Sequence, residues 1–131
     1  MKKTQLLNSE ISYEIAKIGH KQTITIGDAG LPIPKGVKRI DLAIIKNLPK
    51  FLDVLDAVLS EMKVEKIILA DEINEIAPAL RASIMDRFED VAVEFVPHEK
   101  FKAKTLDTNV IIRTGETTPY ANIILVSGVT F

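Results

Sequence analysis

Short runs rich in isoleucine, valine and threonine alternate along this chain with stretches whose apolar residues recur at helical spacing, and this alternation narrows the fold more than any other feature. Thr23-Ile24-Thr25-Ile26 alternates polar and apolar residues, as a strand with one buried face does. Ile40 to Ile45 is nearly all apolar in its second half, which predicts a strand buried on both faces. Pro49 then suits the first turn of a helix carrying Phe51, Leu55, Val58, Leu59 and Met62 on one side. Val64 to Ala70 reads as a third strand, so strand, helix and strand form a unit whose return is most simply parallel and right-handed. A helical region follows from Asp71, restarted at Pro78, with Leu80, Ile84 and Phe88 on one face. Val91 to Val96 alternates as a fourth strand. Pro97 opens a short helix that sets His98 at that strand's carboxyl end, the edge where ligands gather in open α/β sheets.

The two ends of the chain complete the pattern. Asn8 or Ser9 caps a helix whose Ile11, Ile15 and Ile18 form one stripe, and Gly19 stands where a left-handed terminal residue is wanted. Asn109 to Thr114 and Asn122 to Ser127 read as strands joined by residues 115–121, too few for a helix, so these two are expected to be antiparallel and the sheet mixed. No repeat or linker interrupts the 131 residues, which suffice for one core. The expectation is a single α/β domain over residues 1–131, three-layered, with a mixed, mostly parallel open sheet and helices on both faces.

Several chemistries are excluded at this level. With 17 basic and 18 acidic residues, the chain offers no electrostatic reason to bind nucleic acid or an anionic membrane, and a neutral ligand is more natural. Met1 to Asn8 carries no apolar run of signal-peptide length and no later segment approaches a membrane span, which makes the cytoplasm the expected location. The absence of cysteine removes disulfides, thiolate nucleophiles and cysteine-held metals. Only His20 and His98 are available as imidazoles, without metal-site spacing, so no metal is expected. Gly27 and Gly30 follow a strand, but their spacing is not that of a phosphate loop and Pro32 and Pro34 oppose an immediate helix.

Candidate chemistry therefore rests on His20, Asp28, His98, Tyr120 and Asn122, each with a structural alternative. His20 leaves a helix end, whose dipole favours the imidazolium while burial opposes it. Asp28, between glycines, is also a turn former. Tyr120 could be a packed loop aromatic and Asn122 the residue that starts a strand. Arg113 and Glu116 are most simply a loop ion pair, and Glu72, Glu75 and Glu99 solvent-facing helix residues. An extended chain from residue 20 to 28 spans roughly 25 Å, so His20 and Asp28 share a site only if the chain bends or a second subunit contributes.

Gly19-His20, Ile24 to Pro34, His98 to Lys102, Arg113-Thr114-Gly115-Glu116, Pro119 to Leu125 and the closing Gly128-Val129-Thr130-Phe131 together resemble the ribose pyranase / fucose mutarotase family over the whole chain. Asn47 stands where that family leads one to expect glycine. The resemblance implies an isomerase that interconverts the pyranose and furanose forms of D-ribose without a cofactor, assembled as a ring-shaped decamer with sites between subunits. It implies His20 as proton donor, with Asp28, His98, Tyr120, Ala121 and Asn122 binding the sugar. Two other functions remain open here: mutarotase-like anomer interconversion, and a non-catalytic ribose-binding component of an uptake system.

Overall fold

The computed structural model describes residues 1–131 as twelve elements around one six-stranded sheet. In chain order these are α1 (Ser9–Lys17), β1 (Thr23–Gly27), β2 (Lys38–Asp41), α2 (Phe51–Leu59), β3 (Val64–Ala70), α3 (Ile73–Ile76), α4 (Pro78–Met85), β4 (Ala92–Val96), α5 (His98–Lys104), a 3-10 turn (Thr105–Asp107), β5 (Val110–Arg113) and β6 (Ile123–Ser127). The strands lie in the order β2-β5-β1-β6-β3-β4. Pairings β2/β5, β5/β1 and β3/β4 are parallel, and β6 runs antiparallel to both its neighbours, β1 and β3. The sheet is therefore mixed, as expected. β5 and β6 do run in opposite directions, but β1 lies between them.

The apolar runs explain themselves in this arrangement. Ile67 and Leu69 of β3, Val110 and Ile112 of β5, and Ile123 and Leu125 of β6 enter the larger core, against α2 residues such as Phe51 and Leu55. The alternate residues Ile68, Ile111 and Ile124 face the other way and meet Phe101 of α5 and Leu31 in a smaller core. Helices thus cover both faces, and a strand buried on both sides needs no polar alternation. Phe51 and Phe101 are wholly buried, each contributing about 1.5–3 kcal/mol of hydrophobic stabilisation.

Two local expectations are corrected. β2 stops at Asp41, and Ile44 and Ile45 are 75% and 66% exposed rather than buried in a strand. The last ladder bond is from Leu42 N–H to the Arg113 carbonyl. The chain then turns back on itself, with Ile44 N–H donating to the Leu48 carbonyl at 3.0 Å. The apolar run is long enough for a strand, but no neighbouring strand remains for it to pair with. At the other end of the chain α1 is capped by the Asn8 side chain, which accepts from Ile11 N–H at 2.9 Å, as read from sequence. Its termination differs: Ile18 is already extended, and the left-handed residue is Lys21 (φ 66°), not Gly19. The turn of residues 19–22 is closed by Gln22, whose side chain accepts from Gly19 N–H at 2.7 Å.

Candidate functional site

Because β6 is antiparallel to β1, its amino end lies beside the carboxyl end of β1, with Ile26 opposite Ile123. Asn122 and Asp28 thereby become neighbours although they are 94 residues apart in sequence. Asp28 N–H donates to Asn122 Oδ1 at 2.9 Å, and Asn122 Nδ2 donates to Asp28 Oδ2 at 3.0 Å. Asp28 Oδ1 also accepts from Gly30 N–H at 2.9 Å, so the residue does form the turn expected of it. Its carboxylate still has acceptor capacity, since two oxygens offer about four lone-pair sites.

β4 ends beside the same edge, and α5 starts there with His98. The His98 ring meets Tyr120 edge-on at 5.1 Å between centroids and lies near-parallel to Phe101 at 6.1 Å. Tyr120 holds a left-handed backbone (φ 63°), unusual for a bulky residue and frequent at functional turns. Asp28, His98, Tyr120 and Asn122, with Pro32 and Pro119, line a cleft of about 230 Å³. His98 Nδ1 is buried without a hydrogen-bond partner in the chain, a condition that costs about 1–3 kcal/mol until a ligand donor or acceptor meets it. Ala121, between Tyr120 and Asn122, does not line the cleft itself and is fully buried in the larger core.

His20 is not in this cleft. It precedes β1 at the amino end of the strand, while Asp28 follows the carboxyl end, and β1 between them is straight enough to pair along its length with β5 and β6. The His20 side chain is 45% exposed. It lies in a separate depression of about 410 Å³ formed with Glu61, Met62, Gly128 and Phe131. A larger depression of about 530 Å³ lies over α2 and α4, where Arg87 Nη2 donates to Asp56 Oδ2 at 2.8 Å.

Sequence reasoning missed the groups that hold the cleft in place. Glu72, expected to face solvent, accepts from His98 N–H with both oxygens (3.1 and 3.0 Å) and so fixes the start of α5. Arg113 does not pair with Glu116. Its Nη1 donates to both oxygens of Asp41 (3.2 and 3.0 Å) and its Nε to the Ala29 carbonyl at 3.0 Å, which pins the loop next to Asp28. No local pattern announces these contacts, because the partners are 26 to 84 residues apart in sequence.

Glu116 instead turns inward. Burial alone would raise its carboxyl pKa, but hydrogen bonds from Phe51 N–H and from the Thr118 hydroxyl and amide outweigh burial and hold it below the ordinary glutamate value. A carboxyl depressed on folding adds stability above its unfolded pKa, and that stability is lost as pH falls through the lower folded value. Glu116→Gln should therefore lower the melting temperature at pH 7, by the equivalent of about 1–3 kcal/mol. The gap to wild type should close on acidification below about pH 4, which thermal unfolding across pH will measure.

A polar cleft at the carboxyl edge of the parallel strands of an α/β sheet is where such folds commonly bind small ligands. No group of three or more His, Asp or Glu is arranged to hold a metal ion. The chain belongs to the RbsD / FucU transport protein family, whose sequence profile it matches over residues 1–130. It is 54% identical over 131 residues to the D-ribose pyranase of Limosilactobacillus reuteri, covering all of both chains. It is equally similar to the D-ribose pyranase of Geobacillus kaustophilus, covering all of this chain and 96% of that one. The structure of Bacillus subtilis RbsD complexed with D-ribose superimposes with a TM-score of 0.96 at 44% identity, over the full length of both. A fucose mutarotase from Streptococcus pneumoniae, solved with L-fucose, shares the fold over all of both chains (TM-score 0.80, 24% identity).

Proposed function

We propose that this chain is an isomerase that interconverts the pyranose and furanose ring forms of D-ribose. The observation that carries this is a cleft of hydroxyl-binding side chains in a chain more than half identical, end to end, to D-ribose pyranases. Ring opening takes a proton from the anomeric hydroxyl and returns one to the ring oxygen. Closure through a different hydroxyl of the open aldehyde gives the other ring size, with no net change in protons, electrons or atoms. Nothing beyond proton transfer is required of the protein.

In this proposal His20 is the proton-exchanging group, since an imidazole carries one nitrogen that can give a proton and one that can take it. Asp28, His98, Tyr120 and Asn122 bind the sugar hydroxyls, and the backbone of Tyr120, Ala121 and Asn122 shapes the floor. His20 stands at the far edge of the sheet, so a complete site takes the cleft from one copy and His20 from another. The proposed assembly is the ring-shaped homodecamer of the family resemblance, and the exposed Ile44, Ile45 and Leu48 (49% exposed) give it an apolar surface to bury. The whole of residues 1–131 acts as one domain. A cytoplasmic location goes with an isomerase that serves ribose consumption.

Magnetisation-exchange NMR on equilibrated D-ribose tests this directly. Added protein should speed exchange between pyranose and furanose signals. Exchange confined to α and β anomers would make the protein a mutarotase instead, and ribose binding without any acceleration would make it a sugar-binding component.

A further inference from the structure

The strand β3 is irregular at one place. Val64 pairs with Ser127 and Lys66 with Val126, so Glu65 is an extra residue with no partner on β6. Such a bulge interrupts the strict alternation of side chains and re-aims one of them. Here the re-aimed carboxylate meets His20, with Glu65 Oε2 at 2.9 Å from His20 Nε2.

The surrounding backbone is built around that meeting. Lys21 N–H donates to the Ser127 carbonyl and Ser127 N–H to the Gln22 carbonyl, both at 2.9 Å, so the turn bearing His20 is tied to the residue that pairs with Val64, next to the bulge. Gly128 N–H donates to the Lys63 carbonyl at 3.0 Å from the other side. A Cβ at Gly128 would stand 3.2 Å from Glu65 Cβ, tighter than side chains ordinarily pack, so glycine lets the chain pass close beside Glu65. Lys21, immediately after His20, holds the left-handed conformation that the turn demands.

We infer that Glu65 is a positioning residue for His20, holding the imidazole by Nε2 so that Nδ1 is the nitrogen that exchanges protons with the sugar. An ionised carboxylate only accepts hydrogen bonds, so its partner Nε2 carries the proton and Nδ1 keeps its lone pair. The positive charge that appears when Nδ1 takes up a proton then lies beside a fixed negative one, the arrangement that orients catalytic histidines elsewhere. This inference rests on the function proposed above and on His20 as its proton-exchanging group.

The test compares wild type, Glu65→Ala and Glu65→Gln by ribose exchange at saturating sugar, ribose affinity by calorimetry, and melting temperature. Glu65→Ala should lower kcat by about 10- to 100-fold, the range for a lost partner that orients a histidine, with ribose affinity and melting temperature near wild type. Glu65→Gln, which keeps an acceptor of the same reach, should recover part of that loss. An alanine variant with kcat within about twofold of wild type overturns the inference, and so does a loss of kcat matched by an equal loss of affinity. A glutamine variant no better than alanine also overturns it. Failure of the function itself shows separately, as wild-type protein that does not accelerate ring exchange.

Discussion

His20→Asn should slow pyranose to furanose exchange by about 10²–10⁴, the usual contribution of a general acid-base group, while ribose still binds. Asparagine fills nearly the same space and retains hydrogen-bonding capacity, but its amide is not an acid-base group, so the two outcomes separate proton transfer from recognition. The His20 side chain is 45% exposed, so its replacement opens no cavity in the core. Asp28→Asn should do the reverse and weaken binding first. In that variant either an amide nitrogen is turned against Asn122 Nδ2 or the Gly30 bond is lost, because Asp28 accepts from both. Mixing the two variants after dissociation and reassembly then reads the architecture. If each site takes His20 from one copy and the cleft from another, about one quarter of the sites in a randomly mixed ring receive both intact groups. Activity rising well above the sum of the two parents supports shared sites. A mixture no more active than that sum means that His20 and the cleft do not cooperate across subunits, and the role given to His20 falls with it.

What the sequence revealed and what it hid divide along one physical line. Helix, strand and turn propensities are local, so the Asn8 cap, the strand at β1, the restart at Pro78 and the turn at Asp28 were all readable in place. The single buried face expected of β1 did not form: in the middle of a sheet covered on both sides, Thr25 is as buried as Ile24 and Ile26. The polar residues that line the cleft, Asp28, His98, Tyr120 and Asn122, also stood out by type and by their places at strand ends. The run Ile40 to Ile45 misled because apolarity reports burial without saying against what, and Ile44 and Ile45 find no cover within one chain. Contacts between distant strand ends were invisible: Glu72 under His98, Glu65 beside His20, and Asp41 rather than Glu116 as the partner of Arg113. Asn47 shows a departure absorbed. Where glycine was expected the backbone is left-handed (φ 63°), which asparagine tolerates, and its Oδ1 accepts from both the amide and the hydroxyl of Thr117, at 3.1 and 2.8 Å.

Gly115→Ala should destabilise the protein and, through the same turn, weaken its assembly. At an ordinary site this substitution is neutral or mildly favourable, because alanine restricts the unfolded chain. At Gly115 a Cβ would lie 2.6 Å from the carbonyl oxygens of Ile45 and Leu48 and 2.7 Å from the Leu48 nitrogen. All three are backbone atoms. Gly27 offers the contrast: the same short distance, 2.6 Å, there involves the end of the Leu31 side chain rather than backbone. Around Gly115 the backbone is held by hydrogen bonds. Its own N–H donates to the Pro49 carbonyl at 2.9 Å, its carbonyl accepts from Asn47 N–H, and the next residue, Glu116, caps Phe51 at the start of α2. The added methyl therefore has to displace the turn of residues 45–48, at a cost of about 1–3 kcal/mol and a fall of several degrees in melting temperature. That turn carries Ile45 and Leu48 outward beside Ile44, the apolar surface proposed above for subunit contact, and on that proposal sedimentation should show smaller particles at the same protein concentration. A variant that melts lower but assembles normally would separate the turn from the interface, and one that melts and sediments like wild type would mean that the backbone around Gly115 yields at no cost.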